Sequence, residues 1–167
     1  RQEVQASGEN LQNCARRLRY QFLFQLARSH NRKVATGHTL NDQAETFLMK
    51  LIRGAGPAGL SGISPLRVDR LDPLDHPDHP DEEAQSGGTR MVRPLLEVSR
   101  SRILGYLEER KQSYREDRSN SDLSYDRNWI RHGLIPLLQG RLNPALVETL
   151  CRSSELFREI DEYLLEQ

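Results

Sequence analysis

Asp42 and Glu45 stand three residues apart in the stretch "GHTLNDQAETFLMKLIRGAGPAGLSGI", Gly37 to Ile63. On a helix at about 100° per residue, Asp42, Glu45, Thr46, Met49 and Arg53 gather on one side, and Ala44, Phe47, Leu48, Leu51 and Ile52 on the other. The apolar side reads as core. The polar side sets two carboxylates one turn apart, just after a strand-like run that His38 ends. In an open α/β sheet, ligands bind at such strand-to-helix turns, beyond the carboxyl ends of the strands. Acids in a first helical turn also complement the helix dipole and cap free N–H groups. Pattern alone leaves both readings standing.

A second polar cluster follows downstream: Glu116-Asp117, Asn120, Asp122, then Asp126-Arg127-Asn128 and Arg131-His132. Arginines and an asparagine at the start of a helix suit phosphate or carboxylate binding. The bland alternative is a capped helix with surface ion pairs.

Positioning these groups needs a scaffold. Glu9 to His30 reads as a helix, with Ala15, Leu18, Phe22 and Leu26 at helical spacing and Asn31 suited to a left-handed end. "KVATGH", Lys33 to His38, suits a short buried strand. Thr39 or Asn41 can cap the helix that runs to about Arg53. "GAGPAGLSGI" reads as a loop. Pro65 to Val68 and Met91 to Leu96 read as strands, Ser99 caps a helix through Glu109, and "QSYRED" reads as one more strand. Ile130, Leu134, Leu137 and Leu138 predict a helix broken near Pro136. Pro144 predicts the first turn of a last helix, with Leu146, Leu150, Phe157, Ile160 and Leu164 on its apolar side. Helices alternating with short buried strands give an α/β class with a parallel sheet, followed by an all-helical segment.

Composition narrows the class. The chain has 167 residues, 36% hydrophobic and 29% charged, with mean hydropathy −0.72. No apolar run approaches the roughly 20 residues that span a bilayer, and the sequence reads as cytoplasmic, without a signal peptide. Cys14 and Cys151 form no C-x-x-C pair and read as reduced thiols. Basic and acidic residues balance at 24 each. The acids concentrate in 69–89, a proline-rich stretch expected to be a flexible insertion. Its two histidines could be drawn as a metal site, but a solvated insertion is the expectation and no metal-binding residue is assigned. The remaining chain is net basic, which leaves room for a phosphate-bearing partner.

Taken together, these segments resemble the tRNA(Ile)-lysidine synthetase family. "GHTLNDQAETFLMKLIRGAGPAGLSGI" resembles its H-x-x-x-D-Q-x-E-T…R-G-x-G segment. "ARRLRYQFL", "RPLLEVSRSRILGYLEE" and "EDRSNSDLSYDRNWIRHGLIPLL" resemble its other blocks, in the same order. Several co-linear blocks are more specific than any single motif. The resemblance implies a Rossmann-like PP-loop ATPase fold over 1–122 and a helical extension over 123–167. It implies that ATP, with Mg²⁺, adenylates the C2 oxygen of the wobble cytidine of isoleucine tRNA with a CAU anticodon. The ε-amine of free L-lysine then displaces AMP to give lysidine. Asp42 and Glu45 would hold the lysine amine and could help deprotonate it. Arg127 and Arg131 would serve phosphates or the lysine carboxylate, and Arg127, Asn128 and Arg131 would meet tRNA. His38, Thr46, Arg53 and Gly54 would shape the nucleotide crevice. A homodimer is compatible with the family.

The chain also departs from the family. The S-G-G-x-D-S phosphate loop is missing, so the chain reads as a fragment that alone should be inactive. "SGGTR" at Ser86 has neither the preceding strand nor the following helix of such a loop, and lacks its aspartate. Thr39 and Asn41 stand where His and Asp are common. Two rivals remain at this point: a 2-thiocytidine enzyme of the same fold, which the lack of paired C-x-x-C cysteines disfavours, and a non-catalytic tRNA-binding remnant.

Overall fold

The computed structural model describes residues 11–69, 89–115 and 123–166. They fall into two compact units, Arg1–Thr36 with Leu66–Val92, and Gly37–Pro65 with Arg93–Gln167. The acidic insertion, "SGGTR" and the Glu116–Asp122 cluster lie almost wholly outside the described residues.

The first unit contains helix α1 (Leu11–Ser29) and strands β1 (Val34–Ala35), β2 (Leu66–Asp69) and β3 (Thr89–Val92) in the order β1-β3-β2. β1 runs parallel to β3, with Val34 opposite Met91. β2 runs antiparallel to β3, with Leu66 opposite Val92 and Asp69 opposite Thr89. The expected parallel pairing is therefore present, and β2 makes the sheet mixed. α1 ends as the sequence predicts: Asn31 takes φ +50°, and Arg32 N donates to Ala27 O at 2.8 Å. Its packing face differs from the expected one. Phe24 and Ala27 are buried with Val34 and Met91, against Tyr20 and Leu23, whereas Leu18, Leu26 and Phe22 (63% exposed) face away. α1 carries two apolar stripes, and spacing alone cannot say which one meets the sheet.

The second unit is helical. Its elements are α2 (Leu40–Ile52), α3 (Pro57–Leu60), α4 (Arg100–Glu109), α5 (Asp126–Trp129), α6 (Ile135–Arg141) and α7 (Leu146–Leu165). Its core joins Ala44, Phe47 and Leu48 of α2 to Leu60, Ile130, Ile135, Val147, Leu150 and Cys151. Burying each large apolar side chain here contributes about 1.5–3 kcal/mol.

Several boundaries need correction. The glycine-rich stretch expected to be a loop holds α3, with Gly56 at its N-cap and Pro57 in its first turn, where a missing N–H costs nothing. Residues 112–115 of "QSYRED" are exposed and pair with no strand. α7 starts at Leu146, past Pro144, and its distal Ile160 and Leu164 are exposed. On α2, Leu51 and Ile52 are exposed, while Met49 packs against the core. Among the described residues, Leu51 and Ile52 lie outside the core that Ala44, Phe47 and Leu48 enter.

Candidate functional site

Thr39 starts α2 and places Asp42. Its hydroxyl accepts from Asp42 N at 3.4 Å and donates to Asp42 Oδ2 at 2.7 Å. Asp42 Oδ2 also accepts from Thr39 N at 2.8 Å. This reciprocal capping box fixes the carboxylate at the positive end of the helix dipole. Of the two caps the sequence allowed, Thr39 is the one used. Asn41 turns outward, and its Oδ1 accepts from Arg100 N at 2.8 Å.

The other oxygen, Asp42 Oδ1, accepts from Arg127 Nη2 at 2.9 Å and Arg131 Nη2 at 3.0 Å. Glu45 Oε2 accepts from Arg127 Nε at 2.8 Å and Arg131 Nη2 at 3.0 Å. Glu45 Oε1 accepts from Arg131 Nε at 2.5 Å. Two carboxylates and two guanidinium groups thus close a four-residue cluster with no net charge. The Glu45 side chain is only 1% exposed, and an ion that deep is tolerated only when paired and hydrogen-bonded.

Arg127 and Arg131 stand four residues apart and share a helix face, and a widened turn follows Arg127's helix. Ile130–Leu134 is a π turn, and Ile135 N donates to Ile130 O, five residues back. Proline has no N–H, and its ring crowds the carbonyl four residues earlier. Pro136 thus removes the bond to His132 O, and the turn ahead of it opens. The helix expected to break near Pro136 continues through a wide turn instead, and Arg131 lies in that turn. Such turns occur frequently at functional sites.

Electrostatics follow from this packing. Burial raises the Asp42 pKa, but the hydrogen bonds from Thr39 and the charges of Arg127 and Arg131 outweigh it and hold the carboxyl below its ordinary value. Burial lowers the Arg131 pKa, while bonding and charge from Glu45 and Asp42 more than reverse that. The Thr39 bonds and the two arginines thus favour the ionised form of Asp42.

The structure brings four of the anticipated residues together, Asp42, Glu45, Arg127 and Arg131. Asn128 is half-buried on α5 between the two arginines. Thr46 is on the same helix as the acids, and its hydroxyl donates to Asp42 O at 2.8 Å. His38 is half-buried just ahead of the cap. Arg53 and Gly54 lie at the far end of α2, roughly 16 Å from Asp42 at 1.5 Å per residue. There Gly54 takes φ +75°, and Arg53 reaches Asp126 at 3.6 Å across an exposed gap.

Sequence reasoning missed the contacts of Gln43. The residue is buried, and its Nε2 donates to Ser154 Oγ of α7 and to Ser61 O at 3.4 Å. Its Oε1 accepts from Ile63 N at 2.7 Å. Ser154 Oγ and Arg158 Nη2 each donate to Ser61 O at 3.1 Å. The clamp ties α2, α7 and the loop after α3 together, one residue from Asp42. The signal was present: Gln43 shares a helical face with Phe47, four residues on.

The sequence matches the PP-loop domain family over residues 1–138. The chain belongs to that family. The expected PP-loop α/β class thus holds, and membership implies ATP use. A tRNA(Ile)-lysidine synthase from Solibacter usitatus is 40% identical over 162 residues, covering 96% of this chain and 32% of that protein. One from Geobacter sulfurreducens is 39% identical, covering 98% and 31%. One from Chlorobaculum tepidum is 36% identical, covering 93% and 41%. The chain therefore spans about a third of the length of these relatives. Among solved structures, the U34-tRNA thiolase NcsA from Methanococcus maripaludis, with its [4Fe-4S] cluster, superposes with TM-score 0.62 at 20% identity. The match covers 90% of this chain and 45% of that one. That likeness shows the shared PP-loop fold.

Among the described residues no three of His, Cys, Asp and Glu gather as a metal-binding group, and every oxygen of Asp42 and Glu45 already accepts a hydrogen bond. No helix of the described residues is long and apolar enough to cross a membrane.

Proposed function

We propose that this PP-loop chain belongs to an enzyme that makes lysidine on isoleucine tRNA with a CAU anticodon. In this reading 1–122 is part of the catalytic domain and 123–167 a helical extension that supplies Arg127 and Arg131. The cytidine C2 oxygen attacks the α-phosphorus of ATP and pyrophosphate leaves. The neutral ε-amine of lysine then attacks C2, AMP leaves with the C2 oxygen, and the nitrogen loses its proton. The product is a C–N bond, so the enzyme is a ligase.

The observation that carries the proposal is the closed cluster of Asp42, Glu45, Arg127 and Arg131, in a chain that is 36–40% identical to lysidine synthases. Lysine brings an anionic carboxylate and two amines that are cationic in the free amino acid. A ligand of both signs can exchange into the cluster: its carboxylate meets a guanidinium, and one amine takes the place vacated on Asp42 or Glu45. The depressed pKa of Asp42 supports a charge-holding role in this reading. His38, Thr46, Arg53 and Gly54 remain the proposed nucleotide side, and Asn128 with the two arginines the proposed tRNA side. The test is steady-state kinetics of the full-length protein with Asp42→Asn and Glu45→Gln. The reading expects both variants to raise the KM for lysine far more than that for ATP. Unchanged lysine dependence in both would remove the assignment.

A further inference from the structure

α4 carries a row of side chains that the cluster does not use. Arg102, Tyr106 and Arg110 recur every four residues and so line one face of the helix. The inward side is taken by Ile103, Leu104 and Leu107, which are half-buried. Tyr106 is 55% exposed, and the Arg110 guanidinium lies over its ring, 5.3 Å from the centroid. The pattern continues past the helix. Lys111 takes φ +50° and turns the chain, and Tyr114, 53% exposed, and Arg115 follow. From Glu97 to Arg115, Arg100, Arg102, Arg110, Lys111 and Arg115 face three acids, Glu97, Glu108 and Glu109. α4 is also tied to the candidate site. Asn41 Oδ1 caps Arg100 N at 2.8 Å, and Leu40 N donates to Val98 O at 3.1 Å. The helix therefore begins beside the residue that precedes Asp42.

We infer that the Arg102–Tyr106–Arg110 face of α4 binds single-stranded RNA adjoining the reacting nucleotide. This rests on the proposed action on tRNA and adds a surface which that reading did not assign. Cations spaced along a helix neutralise successive phosphates and release counterions. An exposed tyrosine between them offers a stacking platform for an unpaired base. Arginine already over the ring stacks in the same way as it would on a base. An acidic protein would use the cations but has no need of exposed aromatic rings between them, and this favours RNA.

The experiment measures binding of a CAU-anticodon isoleucine tRNA transcript to the full-length protein by fluorescence anisotropy, over a range of salt. Alongside wild type are Arg102→Ala with Arg110→Ala, Tyr106→Ala and Tyr106→Trp. The double variant should bind about tenfold more weakly at low salt, with a salt slope shallower by about 1.5 to 2. Tyr106→Ala should weaken binding about fivefold or more with an unchanged slope, and Tyr106→Trp should restore it. Lysidine formation at saturating tRNA should stay at the wild-type rate in all of them. Wild-type affinity and salt slope throughout would overturn the inference and turn attention to an acidic protein partner. If wild type makes lysidine while the variants bind normally, only the α4 inference fails. If wild type neither binds this tRNA nor makes lysidine, the proposed function fails with it.

Discussion

Arg131 grips Glu45 with two nitrogens, Nε at 2.5 Å from Oε1 and Nη2 at 3.0 Å from Oε2. This paired contact joins α2 to the π turn 86 residues later, and one end of it is almost fully buried. Removing one partner leaves the other charged and poorly solvated. Glu45→Gln should therefore lower stability by about 3 kcal/mol, near the lower end for a broken buried pair because Arg127 remains partly exposed. Urea unfolding reads it as a shift in midpoint without a change in slope.

Lysine cannot reproduce that fork. Arg131→Lys keeps the charge but offers one compact ammonium in place of two directed N–H groups. The variant should fold and still lose activity in the full-length enzyme, by roughly 100-fold, since a small misplacement in a reacting site costs about that much. Single-turnover rates with saturating tRNA measure it.

Acid should act through Asp42. Its folded pKa lies below its ordinary value, so its contribution to stability is present above the unfolded pKa, about 3.9. That contribution is lost as pH falls through the lower, folded value. The stability gap between wild type and Asp42→Asn should be constant from pH 5 to 7 and close only below about pH 4. Thermal melts across that range would show it.

Gly62 has no room for a side chain. Its φ is +73°, and an added Cβ would lie 2.7 Å from Gln43 Nε2. Gly62→Ala should cost about 1–3 kcal/mol, and Gln43→Ala a similar amount by stranding Ile63 N–H. Because both break one clamp, the double variant should cost less than the sum, which a double-mutant cycle on thermal unfolding would read.

Cys151 is buried at the α2–α7 contact, and its Sγ donates to Leu40 O at 3.3 Å. Burial, with Glu155 and Glu148 nearby, pushes the thiol up to about 12. Only the thiolate reacts. Iodoacetamide at pH 8 should therefore leave Cys151 unlabelled in the folded protein and label it in urea, as peptide mass spectrometry would report.

Much of this site was legible in the sequence, for physical reasons. Asp42 and Glu45 stand at helical spacing behind a capping threonine, and Arg127 and Arg131 repeat one turn apart. What spacing could not give was their mutual contact, because it depends on how distant segments pack. It also could not give the π turn, since Pro136 signals a disturbance but not its form. Spacing also could not choose between the two apolar stripes of α1, where Phe22 is exposed, or show that the apolar side of α2 stays exposed at Leu51 and Ile52. The order of polar residues marks Gln43, but not its clamp on Ser154 and Ile63, which depends on the packing of α7 and the loop after α3.

The most direct measurement supplies the full-length protein with ATP, labelled lysine and a CAU-anticodon isoleucine tRNA transcript, and follows label in the tRNA. Wild type should transfer lysine and release AMP in equal amounts, and Arg127→Ala with Arg131→Ala should transfer none. Absence of lysine-dependent labelling by wild type, or undiminished labelling by the double variant, would contradict the role assigned to the cluster.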